Sequence, residues 1–134
     1  MRFDMIAVRN GKLIVVENKY GLGAISGNAG LAKHYEDISA VLSDPELYDA
    51  LVNSVVNISY AKNQLGVSEF SIEKKNIESS EILFILANYN LKSETLKNEA
   101  VKMTYVMPAR ILLLGKDEYL IDWDKTEDLF TYKS

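Results

Sequence analysis

Residues 2–20, RFDMIAVRNGKLIVVENKY, consist of two mainly apolar runs separated by the dipeptide Asn10-Gly11. An Asn-Gly pair between apolar runs is the strongest short-range signal for a β-hairpin closed by a two-residue type I′ turn. The sequence therefore predicts an antiparallel hairpin at the start of the chain. Its two strands are expected at 2–9 and 12–20.

The turn also fixes which side chains of the hairpin face each other. Counting outward from it sets Asp4 directly opposite Glu17, in a non-hydrogen-bonded pair, where side chains approach most closely. Side chains alternate along a strand, so Asp4, Glu17 and Lys19 should project from the same face. Like charges directly opposite each other destabilise a sheet. A bound divalent cation would compensate, because hard cations take carboxylate oxygens; alternatively, this end of the hairpin is solvated and the charges face water.

Length and composition are typical of one soluble globular domain spanning residues 1–134. Hydrophobic residues make up 48% of the 134 residues and charged residues 25%. The chain has no cysteine, which excludes disulfides and thiolate metal sites. It has no apolar run of about 18 residues, and Met1 leads straight into a strand without room for a signal peptide. We therefore expect a cytoplasmic protein that does not contact membranes.

The overall charge limits the kind of partner. The net charge is −4 and the pI is about 5.0, which argues against a domain that grips a long duplex through its overall field. A short nucleic-acid contact, a small ligand and a protein partner all remain compatible with this charge.

The remainder of the chain alternates between helical and strand patterns. The fold predicted is α/β, with a mixed sheet that starts with the antiparallel hairpin and is flanked by helices. Helices are expected at 29–42, 44–65 and 93–105, and further strands at 82–88, 110–115 and 119–123. The sheet face built on Phe3, Met5, Ile14 and Val16 needs a covering layer. We expect another chain to cover the surface that a missing helix would leave; the two helices after the hairpin are the alternative cover, and a homodimer is the simplest one if they do not suffice.

The spacing of Asp4 in FDMIAV and of Glu17-Asn18-Lys19 in LIVVENKYG resembles the PD-(D/E)xK nuclease superfamily. These are the restriction-endonuclease-like and Holliday-junction-resolvase-like enzymes, with an aspartate on one strand, E-x-K on the next, and a helix that packs across the sheet. The matching segment covers residues 2 to about 42, under a third of the chain. The motif is short, so its specificity comes from the hydrophobic strands and the Asn-Gly turn around it.

The resemblance implies a metal-dependent nuclease that hydrolyses phosphodiester bonds, with DNA favoured over RNA as the substrate. Asp4 and Glu17 would hold Mg²⁺ or Mn²⁺, and the backbone carbonyl of Asn18 would be a third ligand. Lys19 would orient the attacking water and steady the scissile phosphate. Lys33 and His34, on the helix that follows, are candidates for contact with the phosphate.

The chain also departs from the family pattern. Many relatives carry an acidic residue on a helix ahead of the aspartate strand, whereas here nothing precedes Arg2 except Met1. Either the chain is a fragment that lacks an N-terminal segment or an upstream domain, or the protein does without that helix. Some relatives carry Q-x-x-x-Y on the following helix; Tyr35 fits the tyrosine, but Leu31 stands in place of the glutamine.

Two other functions remain open on the sequence. One is a catalytically inactive relative that uses the same fold as a binding or assembly module. The other is nucleotide or cofactor binding at the glycine-rich loop GLGAISG, residues 21–27. Ser26 occupies the position of the last glycine in G-x-G-x-x-G, and turns that need positive φ explain the glycines equally well.

Overall fold

The computed structural model describes residues 2–21, 24–27, 30–90 and 93–133. The strands in these ranges are β1 (Met5–Arg9), β2 (Lys12–Tyr20), β3 (Ser79–Ala87), β4 (Ala109–Leu113) and β5 (Glu127–Asp128). The α-helices are α1 (Leu31–Ser43), α2 (Pro45–Gln64) and α3 (Thr95–Ala100). Within the described ranges, none of the helices is both long enough and apolar enough to cross a membrane.

The strands form one mixed sheet in the order β1-β2-β3-β4-β5. The pair β1-β2 is antiparallel, β2-β3 and β3-β4 are parallel, and the short β5 runs antiparallel to β4. Parallel neighbours require crossover connections, which α1 and α2 supply between β2 and β3 and α3 supplies between β3 and β4. The predicted mixed α/β fold is confirmed.

The hairpin has the predicted register, with Met5 paired with Val16. Asn10 has a φ of 50° and Gly11 a φ of 78°, as both central residues of a type I′ turn require. β1 begins three residues later than expected, so Asp4 lies just beyond the paired strand.

The strand predicted at 119–123 is wrong. Residues 119–122 are irregular, a 3-10 turn covers Trp123–Lys125, and the antiparallel neighbour of β4 is the two-residue β5. The Asp122 side chain accepts a hydrogen bond from the backbone N–H of Asp124 at 3.0 Å, which favours the turn locally over an extended chain. The apolar residues that suggested a strand, Tyr119, Leu120 and Ile121, are exposed.

The two faces of the sheet are covered by different parts of the chain. Leu13 and Val15 of β2 point into the main core, together with α1, α2 and α3. Ile14 and Val16 point to the opposite face, where they form a smaller cluster that Trp123 packs against. The two helices after the hairpin therefore do not cover the Ile14 and Val16 face, because the period-2 alternation places those side chains on the other side of the sheet.

Tyr35 ties α1 to the segment that precedes β4. Its buried hydroxyl donates to the carbonyl of Met107 at 2.9 Å and accepts from the N–H groups of Val106 and Met107 at 2.8 and 3.0 Å. These bonds hold residues 106 and 107 outside a helix, in agreement with α3 ending at Ala100 and not at the predicted residue 105. The tyrosine that fits Q-x-x-x-Y thus has a structural role here.

Tyr35→Phe tests the strength of this tie. Removing the hydroxyl leaves two backbone donors and one acceptor without their partner, so we expect the free energy of unfolding to fall by about 2 kcal/mol. Urea denaturation of the wild type and the variant measures the change. Tyr60→Phe, at an exposed position of α2, is the matched control and should change stability by less than about 0.5 kcal/mol. Equal effects of the two substitutions would contradict the assigned role.

Candidate active site

Two charged side chains lie buried at the carboxyl end of β2. Glu17 is 7% exposed and Lys19 8% exposed, and both project to the helix-covered face of the sheet. Lys19 Nζ lies 3.5 Å from Glu17 Oε1. The sequence motif is thus a real spatial pair, placed inside the protein because β2 lies between β1 and β3.

His34, in the first turn of α1, contacts the same carboxylate. Its Nδ1 atom lies 2.6 Å from Glu17 Oε1, a distance at which an Nδ1–H donates a strong hydrogen bond. The helix is fixed in place by its buried residues Leu31 and Tyr35. The sequence predicted His34 as a phosphate contact, whereas the structure places it on Glu17.

A cavity of about 80 Å³ lies beside this cluster. It is lined by Arg2, Glu17, His34, Asp37 and Ile38. Arg2 was missed by the sequence analysis, because it precedes the hairpin and belongs to no recognisable motif. Lys33 stands apart: it pairs with Asp37 at 3.1 Å on the exposed side of α1, and the hydrogen bond to Asp37 raises its pKa.

Asp4 also contacts the carboxyl end of β2, but through a hydrogen bond to the backbone. It is exposed, and its Oδ2 atom accepts a hydrogen bond from the backbone N–H of Asn18 at 2.9 Å. The three residues of the predicted motif therefore lie at one stretch of backbone, because Asp4 is hydrogen-bonded to the residue between Glu17 and Lys19. Asp4 and Glu17 are nevertheless satisfied separately, the first by a main-chain amide and the second by Lys19 and His34.

The donor types at this end of β2 suit a hard divalent cation. Asp4 and Glu17 offer carboxylate oxygens, and Asn18 offers a main-chain carbonyl. Within the described ranges, no group of three or more His, Cys, Asp or Glu side chains is arranged to hold a metal ion. Mg²⁺ does not need such a cage, because it is commonly held by one or two carboxylates together with waters and substrate phosphates. The chemical types of these donors are those that such a site uses.

The glycine-rich loop has a steric explanation within the turn that starts α1. A Cβ on Gly30 would lie 2.6 Å from the backbone carbon of Ser26, and Gly27 has a φ of 83°. Gly23 lies outside the described residues, so the predicted nucleotide loop is described only in part. The turn accounts for the glycines at 27 and 30.

Glu99 of α3 is a further buried acid that sequence reasoning missed. One carboxylate oxygen accepts from the N–H of Ala32 at 3.3 Å, and the other accepts from Lys102 at 2.6 Å. A carboxylate at the start of a helix satisfies a free amide and interacts favourably with the helix dipole. Glu99 thereby supports the end of α1 that carries His34. The α3 sequence TLKNEA is mostly polar, so it gave no signal that this particular acid would be buried.

Comparison with known proteins adds no relationship. No family model matches the chain, and neither a curated protein nor a solved structure shows a significant similarity to it.

Lys19→Met tests whether the pair with Glu17 is a true buried ion pair. The substitution removes the lysine that pairs with the buried carboxylate, and we expect the free energy of unfolding in EDTA to fall by about 3 kcal/mol. Glu17→Gln combined with Lys19→Met should recover part of that loss, because the uncompensated charge is gone. Lys74→Met, which breaks an exposed pair with Asp49, is the control and should cost less than about 1 kcal/mol. A Lys19 effect no larger than the Lys74 effect would show that Glu17 does not need its lysine.

Proposed function

We propose that this protein is a metal-dependent nuclease that hydrolyses phosphodiester bonds of DNA, with Asp4, Glu17 and Lys19 as its catalytic residues. The observation that carries the proposal is the buried pair of Glu17 and Lys19 at the end of β2. Removing two charges from water costs several kcal/mol per ion, and a hydrophobic pair of the same size often stabilises a fold better. Such a pair is therefore better explained by chemistry than by stability.

The positions of the three residues support the same proposal. Glu17 and Lys19 are held rigidly by a central strand, and Asp4 is attached to Asn18 between them. Sites built on strands hold their side chains more precisely than sites on loops. Asp4, which lies just outside β1, is the member with the most freedom to adjust to an ion.

Each residue has a distinct role in the proposed reaction. A divalent cation bound here would lower the pKa of its water and neutralise developing charge on the phosphate. Asp4, Glu17 and the Asn18 carbonyl would hold that ion. The Lys19 ammonium, a compact point charge, would donate to the attacking water and to a phosphoryl oxygen. His34 would fix the orientation of the Glu17 carboxylate through its 2.6 Å contact.

The proposed partner is DNA, bound locally. With a net charge of −4, attraction must come from particular cations and not from the whole surface. Arg2 supplies positive charge beside the cavity, whereas Lys19 and Lys33 are each paired with an acid, Glu17 and Asp37. A homodimer stays a prediction that analytical ultracentrifugation would test.

A second candidate is a catalytically inactive module with the same fold. It is favoured by the fact that both acids already have partners without a metal: Asp4 binds the Asn18 amide, and Glu17 binds Lys19 and His34. Across the described part of the chain, no buried polar side-chain atom lacks a hydrogen-bond partner. Such complete pairing of the acids is what we expect of a protein that never binds a cation.

Cleavage of plasmid and of single-stranded DNA with Mg²⁺ or Mn²⁺ tests the nuclease directly. Asp4→Ala and Glu17→Ala should each reduce cleavage by at least about 100-fold, because each removes an oxygen that holds the ion. Asp49→Ala, which removes an exposed acid on α2, is the control and should leave the rate unchanged. Absence of metal-dependent cleavage by the pure wild-type protein on every DNA form would contradict the proposal.

Isothermal titration with Mn²⁺ separates the two candidates. The nuclease should bind Mn²⁺ in a manner that Asp4→Ala abolishes, whereas Lys19→Ala should keep the binding and lose most of the rate, since lysine acts on water and phosphate and not on the ion. The inactive module should show no Asp4-dependent heat of binding.

A further inference from the structure

The outer edge of β1 has no neighbouring strand. β1 is the first strand in the order of the sheet, so it pairs with β2 alone. Arg9 and Lys12 flank the two-residue turn as a hydrogen-bonded pair, and the alternation along β1 therefore directs the N–H and carbonyl groups of Ile6 and Val8 away from β2. Among the described residues, these outward groups have no main-chain hydrogen-bond partner. A row of unpaired donors and acceptors is a template on which a further strand can form.

The sequence of β1 lacks the features that prevent strand addition. Proteins protect an exposed edge with proline, lysine, inward-facing charges or a β-bulge. β1 reads MIAVR, and it pairs with β2 residue for residue without a bulge. Its one charged side chain, Arg9, stands at the end next to the turn and lies against the Trp123 ring, 4.9 Å from the ring centre. The middle of the edge is therefore open to a partner.

A groove of about 550 Å³ borders this edge. Met5 and Ile6 point to opposite faces of the sheet, yet both line the groove, so it opens at the side of β1 and not over one face. Its other wall consists of α2 and the segment after it, which are held together by a hydrogen bond of 2.8 Å from the N–H of Ile72 to the Ser59 hydroxyl. An extended chain that paired with β1 would lie in this groove.

The groove and its surroundings leave much apolar surface in water. Met5 and Ile58 line the groove and are exposed, and three side chains in the segment after α2 are exposed as well: Leu65, Val67 and Phe70. Together these five side chains present on the order of 500 Å² of apolar surface, the size of the largest patch on a typical monomer. With the groove walls added, the area approaches the roughly 800 Å² that each partner buries in a stable complex.

We propose that a second copy of this chain occupies the groove, so that two β1 strands pair antiparallel about a two-fold axis through Ile6. The axis sets Ile6 opposite Ile6 of the second copy and Asp4 opposite Val8, and the outward hydrogen-bonding groups of both strands are then satisfied. A two-fold axis perpendicular to the sheet keeps the helix-covered faces of the two copies on the same side, so the two sheets join into one. The inference does not depend on the proposed nuclease function.

Charge favours a second copy as the occupant. The charged residues that line the groove are one acid, Asp4, and one base, Lys62, so the surface is neutral and can complement itself, as a contact between two identical patches requires. The proposed register also sets no like charges opposite each other, because Asp4 faces Val8 and Arg9 faces Phe3. An axis through Asp4 would instead place two carboxylates face to face.

Disulfide trapping tests the register, because the chain has no cysteine of its own. Ile6→Cys should form a covalent dimer under mild oxidation, since directly opposite hydrogen-bonded residues have Cα atoms about 5.5 Å apart, within the range of a disulfide. Val8→Cys is the matched control on the same strand and the same face. In the proposed register its Cα atom lies more than about 13 Å from its counterpart, so this variant should stay monomeric on a non-reducing gel.

Sedimentation velocity and hydrogen exchange test the pairing in the wild-type chain. The wild type should form a dimer that dissociates on dilution. The amides of Ile6 and Val8 should be protected only in the dimer, whereas the amide of Ala7, which is bonded to β2, should be protected in both states. Ile58→Lys, which places a charge in the groove wall, should weaken association at least about tenfold. Leu47→Lys is the control, because Leu47 is 51% and Ile58 57% exposed on the same helix, but Leu47 lies outside the groove.

The same measurements can overturn the inference. A wild type that stays monomeric at every concentration would exclude the second copy and leave an extended segment of another protein as the occupant. A dimer whose Ile6 and Val8 amides stay unprotected, or one that Leu47→Lys disrupts as much as Ile58→Lys, would place the contact elsewhere. Efficient trapping through Val8→Cys and not through Ile6→Cys would exclude the proposed register.

Discussion

The burial of β2 is the constraint on which the rest of the structure depends. As the second of five strands, it pairs on both sides and carries core residues on both faces. Its last helix-facing positions hold Glu17 and Lys19, so the fold must accommodate two charges where apolar residues would be expected. Ion-pairing and hydrogen-bonding groups lie next to the two charged side chains, and these groups define the candidate active site.

The position of α1 follows from the same demand. His34 can reach Glu17 only if the helix starts where it does, and two contacts from distant parts of the chain secure that start. The Glu99 carboxylate binds the amide of Ala32, and the Tyr35 hydroxyl binds the backbone at residues 106 and 107. The segment after α3 is thereby coupled to the geometry of a site that it does not touch.

Other groups of the protein compensate the repulsion between Asp4 and Glu17 that the hairpin register suggests. An amide dipole compensates one acid, and a lysine with a histidine compensates the other. A cation that bound here would have to share or displace those contacts. The same arrangement would keep the site folded before ion and substrate arrive, as a preorganised site requires, and it would equally suit a module that binds no ion.

The opposite face of the sheet shows how far apart local pattern and tertiary placement can be. Residues 119–121 have strand-like composition but remain exposed, and Tyr119 and Ile121 line a groove at the carboxyl ends of β2, β3 and β4. Their turn chemistry, with Asp122 binding the next turn, outweighs their β propensity. The segment that was expected to be a fifth full strand is instead an irregular, exposed connection.

The sequence by itself determined the hairpin, its register from Met5 and Val16 to the turn, the mixed α/β class, and the placement of Glu17 and Lys19 on one face of β2. These follow from short-range rules: a turn that needs positive φ at two residues, and a side-chain period of two along a strand. Only the tertiary structure decided that His34 binds Glu17, that Glu99 caps α1, and which face the helices cover. Those contacts join residues from separate elements, and they depend on how helices dock on the sheet, which no local pattern encodes.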